Sequence, residues 1–150
     1  MSGPDIEAAG AVVYSPAKDA FLLLKHRQGH WAFAQGKLEG KEDLREAAKR
    51  EVEEETGLDI DDFDDSVEVR VTYHYRHRRK NIRKDVTFFL VVSDEDVTIS
   101  DEHHGFIWVD FATAHKLLRF RNHTKSLEAA GKRLQERGFP VKGFFEKKSK

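Results

Sequence analysis

Residues Gly36 to Leu58 read GKLEGKEDLREAAKREVEEETGL, and this stretch decides the fold of the chain. Glycines, an arginine and glutamates recur at set spacings, in the order G-x5-E-x7-R-E-U-x-E-E-x-G-U, where U is an aliphatic residue. The defined positions are all filled, by Gly36, Glu42, Arg50, Glu51, Val52, Glu54, Glu55, Gly57 and Leu58. Because a chance match at nine positions is very unlikely, the stretch predicts a functional site.

The middle of this stretch predicts a helix that runs from about Leu44 to Thr56. Asp43 can cap its N-terminus, and Glu46 three residues later completes a capping box. Gly57 stands where a left-handed C-cap would end the helix. The sequence therefore fixes both ends of this element.

One face of the predicted helix changes from apolar to acidic along its length. At about 100° per residue, one stripe holds Leu44, Ala47, Ala48, Glu51, Glu54 and Glu55. Three carboxylates partly withdrawn from water repel one another, at a cost of several kcal/mol unless cations neutralise them. Such oxygen ligands suit Mg²⁺ or Mn²⁺. Taken alone, the acidic triplet could equally mark a solvated helix face with i,i+4 ion pairs; the complete motif favours the metal site.

The motif resembles the Nudix box of hydrolases that act on a nucleoside diphosphate linked to another moiety. Over roughly residues 8–135 the chain also resembles the asymmetrically cleaving diadenosine tetraphosphate hydrolases within that superfamily. The flanking similarity lies in AAGAVVY, FLLL, His30-Trp31, K-x-V-x-F-F-L from Lys84, S-D-E-H-H-x-x-x-W from Ser100, and A-x-K-L-L from Ala114. This resemblance implies an α/β fold, the Nudix α/β/α sandwich with a mixed β-sheet between helices.

The resemblance also implies a metal-dependent mechanism and the residues that carry it. The metal ligands would be Gly36, Glu51, Glu54, Glu55 and Glu102. Gly36 suits this role because a residue without Cβ lets the backbone approach closely and offer its carbonyl. Arg50 would orient the glutamates by charge-assisted hydrogen bonds, and either Glu54 or Glu102 would be the general base. Cleavage of diadenosine tetraphosphate would give ATP and AMP.

The residues that would bind substrate lie before the motif helix and on a later hairpin. They are His30, Gln35, Lys37, Tyr75 and Lys84. Lys84 occupies the position of a phosphate-binding lysine of the family, and Tyr75 is the candidate for stacking on a base. Both Tyr73 and Tyr75 fall on the same face of their predicted strand, where core packing is the alternative role.

One departure from the family leaves the substrate open. Ala34 and Gln35 replace the proline and lysine that usually precede the motif glycine. Gln35 is reminiscent of bacterial RNA 5′-pyrophosphohydrolases, so an RNA 5′ end is the alternative substrate, followed by (deoxy)nucleoside triphosphates. A silent module that only binds nucleotide or RNA is disfavoured because every glutamate of the motif is present.

The rest of the chain predicts further strands, a second helical region and a basic loop. Predicted strands cover residues 8–14, 20–24, 67–75, 86–92 and 106–109, with a broken helix over 117–134. Six cations crowd residues 76–84, where a polyanion would relieve their repulsion, and the aspartates of 59–65 predict a solvated turn. His103 and His104 are predicted to be solvated, since neighbouring residues of an extended chain point to opposite faces.

Composition indicates a single cytoplasmic domain. A chain of 150 residues can form one domain, which we predict over residues 1–150 with a frayed tail from about Lys142. The 26 basic and 27 acidic residues give a net charge of −1, which indicates no particular partner. Zero cysteines exclude disulfides and thiolate zinc sites. There is no leader, and no apolar run approaches the ~18–20 residues of a membrane helix, so we predict no membrane partner. The oligomeric state is left open.

Overall fold

The computed structural model describes residues 3–60, 62–98 and 105–146. Its elements in chain order are β1 Ile6–Ser15, β2 Ala20–Lys25, β3 Trp31–Ala32, β4 Ala34–Lys37, α1 Leu44–Thr56, β5 Asp62–His77, β6 Lys80–Val92, β7 Phe106–Val109, α2 Phe111–Leu117 and α3 Arg121–Glu136. The predicted Glu102, His103 and His104 lie outside the described residues.

The strands form one mixed sheet in the order β3-β2-β1-β6-β5, with β4 paired to β1 and β7 paired to β2. Strand β1 is central because it runs parallel to β6 and antiparallel to β4 and β2. Parallel neighbours need a crossover connection, and here the chain between β1 and β6 includes α1. This topology confirms the predicted mixed sheet.

Alternate residues of β1 face two different helical layers. Val12 and Tyr14 pack in the cluster that includes Leu127 and Leu134 of α3. On the opposite face, Ala9 packs with two alanines of α1, Ala47 and Ala48. Because side chains of a strand point alternately to the two faces of the sheet, this alternation buries both faces and gives the predicted α/β/α sandwich. None of the helices in the described part of the chain is long and apolar enough to cross a membrane.

Helix α1 begins and ends as its sequence predicts. The backbone N–H of Glu46 donates to the Asp43 carboxylate at 2.8 Å, and the Asp43 N–H donates to the Glu46 carboxylate at 3.0 Å. Gly57 ends the helix with φ 72°, in the left-handed region that favours glycine. These caps fix the position along the sheet at which the acidic residues of α1 stand.

From Asp62 onward the acidic segment after α1 is strand β5 rather than solvated turn. Asp64 is buried in β5 and accepts hydrogen bonds from Arg133 at 2.8 Å and Arg137 at 3.3 Å. These ion pairs with α3 compensate the burial of the carboxylate and join β5 to α3. A pattern of aspartates alone could not indicate partners about 70 residues away.

Three other elements differ from the sequence expectation in extent. Strands β5 and β6 run through the predicted basic loop to a two-residue turn, Arg78-Arg79. The helical region begins earlier than predicted, at Phe111, where the Asp110 carboxylate caps α2. Its break falls between α2 and α3, just before the predicted position. Near the C-terminus, where we expected fraying, Phe144 packs against Phe111.

Candidate functional site

The guanidinium of Arg50 holds together four parts of the motif. It donates to both carboxylate oxygens of Glu42, at 2.6 and 2.9 Å, and to Glu51 at 2.7 Å. It also donates to Glu54 at 3.2 Å and to the carbonyl oxygen of Lys37 at 3.0 Å. The bonds to Glu42 and Glu51 raise the pKa of Arg50, so it remains charged. Arg50 therefore links the acidic side chains to the strand that precedes them.

Glycine is required at position 36 because the Glu51 carboxylate lies directly against its backbone. Gly36 pairs with Ala9 in the sheet, and a Cβ built at Gly36 would overlap the Glu51 carboxylate group. The Glu51 side chain is only 15% exposed. The last residues of β4 and the acidic face of α1 are thus in direct contact, as the shared motif implies.

The two other glutamates of the acidic triplet, Glu54 and Glu55, differ in burial. One carboxylate oxygen of Glu55 is buried, and this side chain lines a cavity. Glu54, by contrast, is 58% exposed, so the stripe predicted to face the core turns toward solvent at this residue. At 100° per residue Glu54 falls at the edge of the buried face of α1, whose fully buried positions are taken by Ala47, Ala48 and Val52.

The donor set fits Mg²⁺ or Mn²⁺ by ligand chemistry. Glu51, Glu54 and Glu55 supply carboxylate oxygens on adjacent turns of α1, and the Gly36 backbone lies against Glu51. Within residues 3–60, 62–98 and 105–146, no group of three or more metal-binding side chains stands in a ready-made metal geometry. Glu51 and Glu54 instead share Arg50, a cation that partly offsets their charge.

A cavity of about 550 Å³ lies on the side of the sheet next to β4 and the β5–β6 hairpin. It is lined by His26, Gln28, His30, Ala32, Gln35, Tyr73, His74, Tyr75, Lys84, Val86, Phe88, Phe120 and His123. Four of the predicted substrate residues, His30, Gln35, Tyr75 and Lys84, therefore meet in one place. Lys37 is exposed at the end of β4, outside that lining.

A second cavity of about 320 Å³ lies beside this space and next to Glu55 of the acidic helix. It is lined by Leu24, His26, Arg27, Ala32, Phe33, Gln35 and Glu55. Both cavities include His26, Ala32 and Gln35 in their lining, so they adjoin at these residues, and we call the two together the groove, with Glu55 at one end and Tyr75 at the other. The Oε1 atom of Gln35 is buried at this junction and has no hydrogen-bond partner among the described residues.

The groove has a cationic group at its hairpin side. Burial is the main cause that lowers the pKa of the Lys84 ammonium, and the nearby charge of Lys37 lowers it further. An anion bound between the two lysines would relieve both costs. Tyr73 pairs with Lys84 across the strands, and Tyr75 lies two residues further along β5 on the same face, so the aromatic rings and the cation share one wall.

Two residues of the cavity carry no local sequence signal that reveals them. His123 lies in the first turn of α3, and its Nε2 is 2.9 Å from the Tyr73 hydroxyl. Burial, together with the charge of His30, lowers the pKa of His123 to about 4, so its imidazole is neutral at pH 7. Phe120 packs edge-on against both His30 and His123 and is half exposed. They reach the groove from α3 and the segment before it, far away in sequence.

The comparison with protein families matches residues 5–130 of the chain to the family model described as NUDIX domain. This range includes the whole motif and every described residue of the groove. It covers most of the chain, from the start of β1 into α3.

Curated relatives carry more than one activity. A bis(5′-nucleosyl)-tetraphosphatase (asymmetrical) from Rattus norvegicus is 33% identical over 113 residues, which are 72% of this chain and 76% of that protein. A Myxococcus xanthus protein described as octanoyltransferase is 32% identical over 132 residues, 80% of this chain. The match covers only 35% of the length of the latter protein.

Among solved structures, an Ap4A hydrolase from C. elegans in a binary complex superposes with a TM-score of 0.74. It is 26% identical in sequence, and the match covers 87% of this chain and 98% of that one. The similarity extends over the sheet and its flanking helices, which agrees with the α/β/α sandwich described above.

Proposed function

Because this chain belongs to the NUDIX family and is a pyrophosphohydrolase of that family, we propose that its preferred substrate is diadenosine tetraphosphate, cleaved to ATP and AMP. The observation that carries this proposal is the pair of adjoining cavities that places Glu55 at one end and Tyr75 at the other. Together they present an acidic side chain, a half-buried cation and aromatic rings in the order that a metal-bound polyphosphate with a terminal base requires. The relatives that cleave dinucleoside tetraphosphates support the same assignment.

In this proposal the acidic end of the groove is the catalytic end. Glu51, Glu54, Glu55 and Glu102, with the Gly36 carbonyl, would hold Mg²⁺ or Mn²⁺. Nudix hydrolases generally use such ions, which neutralise phosphate charge and activate the attacking water when bound. Arg50 keeps Glu51 and Glu54 in place through its hydrogen bonds. Either Glu54 or Glu102 accepts the proton of the water.

The other end of the groove binds the substrate. Lys84 contacts a phosphate as a point charge, with Lys37 near it and His30 facing the same space. Gln35 stands between the two ends, and its buried amide oxygen can accept a hydrogen bond from a substrate hydroxyl or base amine. Tyr75 is 42% exposed, so its ring is available to stack on a base.

An RNA 5′-pyrophosphohydrolase is the second candidate function. Gln35 favours it, because a glutamine directly before the motif glycine resembles the bacterial RNA 5′-pyrophosphohydrolases. The cations of the β5–β6 hairpin, all exposed at its turn, favour it as well. Both reactions would use the same acidic face, so only the substrate separates the two candidates.

The experiment that tests the proposal compares substrates on the intact chain. We expect diadenosine tetraphosphate to give the highest kcat/KM in a panel with nucleoside triphosphates and 5′-triphosphorylated RNA, with ATP and AMP as products by chromatography. Two ADP molecules would indicate symmetrical cleavage and defeat the assignment. A clear preference for triphosphorylated RNA would instead establish the second candidate.

Lys84 and Tyr75 should contribute to substrate use through different interactions. Lys84→Ala should weaken the binding of every polyphosphate substrate by about 1.5–3 kcal/mol, the range for a hydrogen bond to a charged group. Tyr75→Ala should remove the stacking of a base, a loss of ~1–3 kcal/mol of binding free energy that raises the KM for nucleotides. The KM for inorganic polyphosphate, which has no base, should stay almost unchanged. Steady-state kinetics on base-containing and base-free substrates measure the difference.

Two conservative variants serve as controls for these substitutions. Tyr75→Phe keeps the ring and should retain nucleotide KM, whereas Lys84→Gln keeps most of the stem and should behave like Lys84→Ala. If Tyr75→Ala impaired both substrate types equally, or lost its fold, Tyr75 would be a packing residue instead.

A further inference from the structure

The turn between β5 and β6 uses residues that its backbone does not favour. Arg78 and Arg79 have φ of 50° and 68°, and they form the two-residue connection between the paired His77 and Lys80. Two successive residues at positive φ define a type I′ turn, which normally takes Asn-Gly or a similar pair. Bulky side chains are strained there. The strain indicates that the arginines serve a purpose other than forming the turn.

The cations around this turn are not neutralised by the protein. We call residues 74–83 the basic arm. In the part of the chain that the structure describes, Arg76, Arg78, Arg79 and Lys80 form no ion pair, whereas Arg83 at the base of the arm pairs with Asp85 at 3.0 Å. Arg76 instead donates to the Arg79 carbonyl at 3.2 Å. The whole chain carries a net charge of −1, so this concentration of positive charge is local.

One face of the basic arm continues the wall of the groove. Residues paired across an antiparallel ladder share a face, and the pairs Tyr73–Lys84, Tyr75–Ile82 and His77–Lys80 alternate with pairs on the other face. The first of these pairs lines the groove, and the last adjoins the turn. From Lys84 to Lys80 a strand extends about 13 Å. A stacked nucleotide strand rises about 3.4 Å per residue, so this face matches about four nucleotides.

We propose that the basic arm binds the phosphate backbone of a single-stranded polynucleotide that extends along the arm toward the groove. Arg78, Arg79 and Lys80 contact phosphates, and the exposed ring of Tyr75 stacks on a base. Alternation of cations with an aromatic ring suits a single strand, whose phosphates and bases alternate in the same way. An anionic lipid surface or an acidic protein would not require this alternation of cations and ring along one strand. This binding surface goes beyond the hydrolytic reaction and does not depend on which bond is cleaved.

The test replaces the strained turn with the residues that a type I′ turn favours. Arg78→Asn combined with Arg79→Gly removes two charges and relieves the backbone strain. We expect the melting temperature to rise while the Kd for a ten-nucleotide RNA increases by about tenfold or more at low salt. The slope of log Kd against log salt should fall by about 1.4, because a single strand contributes about 0.7 for each lost phosphate contact.

The titration is performed in excess EDTA, so that it reports binding whether or not the chain hydrolyses the ligand. Lys125→Gln combined with Lys132→Gln is the matched control, because it removes two exposed charges from α3 and should leave the Kd within about twofold. Ten-nucleotide single-stranded DNA should bind and lose affinity in the same way, since the shared backbone is recognised.

Several results would overturn the proposal. An unchanged RNA Kd for the turn variant would show that the arm makes no backbone contact. An equal loss in the α3 control would show that only net charge matters. If the wild-type chain bound phosphatidylserine vesicles as tightly as RNA or more tightly, and the same turn variant abolished that binding, the partner of the arm would be a lipid surface instead. Failure of nucleotide hydrolysis would affect the proposed function alone.

Discussion

Glu55→Gln is expected to lower kcat by about 10²–10⁴-fold while the fold remains intact. Glu55 is the glutamate of α1 that lines the groove, and one of its oxygens is buried there. Glutamine has nearly the same shape, so the substitution removes the charge needed to hold a cation and changes little else. The caps of α1 and its buried alanines do not involve this side chain, which is why the fold should survive.

Glu53→Gln provides the matched control on the same helix. Glu53 accepts a hydrogen bond from the Ile60 N–H at 3.3 Å and lines no part of the groove. The Glu53→Gln variant should therefore keep near wild-type turnover. Without metal, Glu55→Gln should also melt no lower than wild type, because one of three neighbouring negative charges is removed. Near wild-type kcat in a folded Glu55→Gln protein would show that the acidic face is ordinary surface.

Removal of divalent cations is expected to abolish turnover completely. The polyphosphate is negative and so are the carboxylates of Glu51, Glu54 and Glu55, so the substrate cannot approach the acidic end of the groove unless cations neutralise both. Assay of the enzyme in excess EDTA should give no product, and added Mg²⁺ or Mn²⁺ should restore the rate. Undiminished turnover in EDTA would exclude the metal mechanism.

Local sequence rules predict the elements whose ends are fixed by nearby residues. Asp43, Glu46 and Gly57 determine the limits of α1, because capping bonds join residues a few positions apart. The apolar run of β1 indicates a buried strand by the same local logic, and its contacts with both helical layers confirm it. The structure places His30, Gln35, Tyr75 and Lys84 around one cavity, and their roles in substrate binding, which the resemblance to a family implies, remain predictions.

Features that depend on distant partners could not be predicted from local patterns. At Asp64, where the sequence predicts a solvated turn, the structure has a strand whose carboxylate pairs with Arg133 and Arg137. No local rule indicates these ion pairs. The entry of His123 into the groove depends in the same way on how α3 packs. The roles of Glu102 and of the other proposed ligands remain predictions, and Glu102 lies outside the described residues.

The hairpin shows a different limit of sequence patterns. Gly or Asn usually marks a two-residue turn, so a run of arginines and lysines favours a longer loop. The structure instead has Arg78 and Arg79 in the turn itself, at positive φ. Local propensity is overruled there by the register that β5 and β6 adopt along the sheet.

The most direct test of the central claim is cleavage of diadenosine tetraphosphate in ¹⁸O-labelled water with Mg²⁺ present, with mass spectrometry of the products. Water attack on one phosphorus predicts ATP and AMP in equal amounts, with one labelled oxygen in only one of the two products. Formation of two ADP molecules, label in both products, or no cleavage at all would contradict the account.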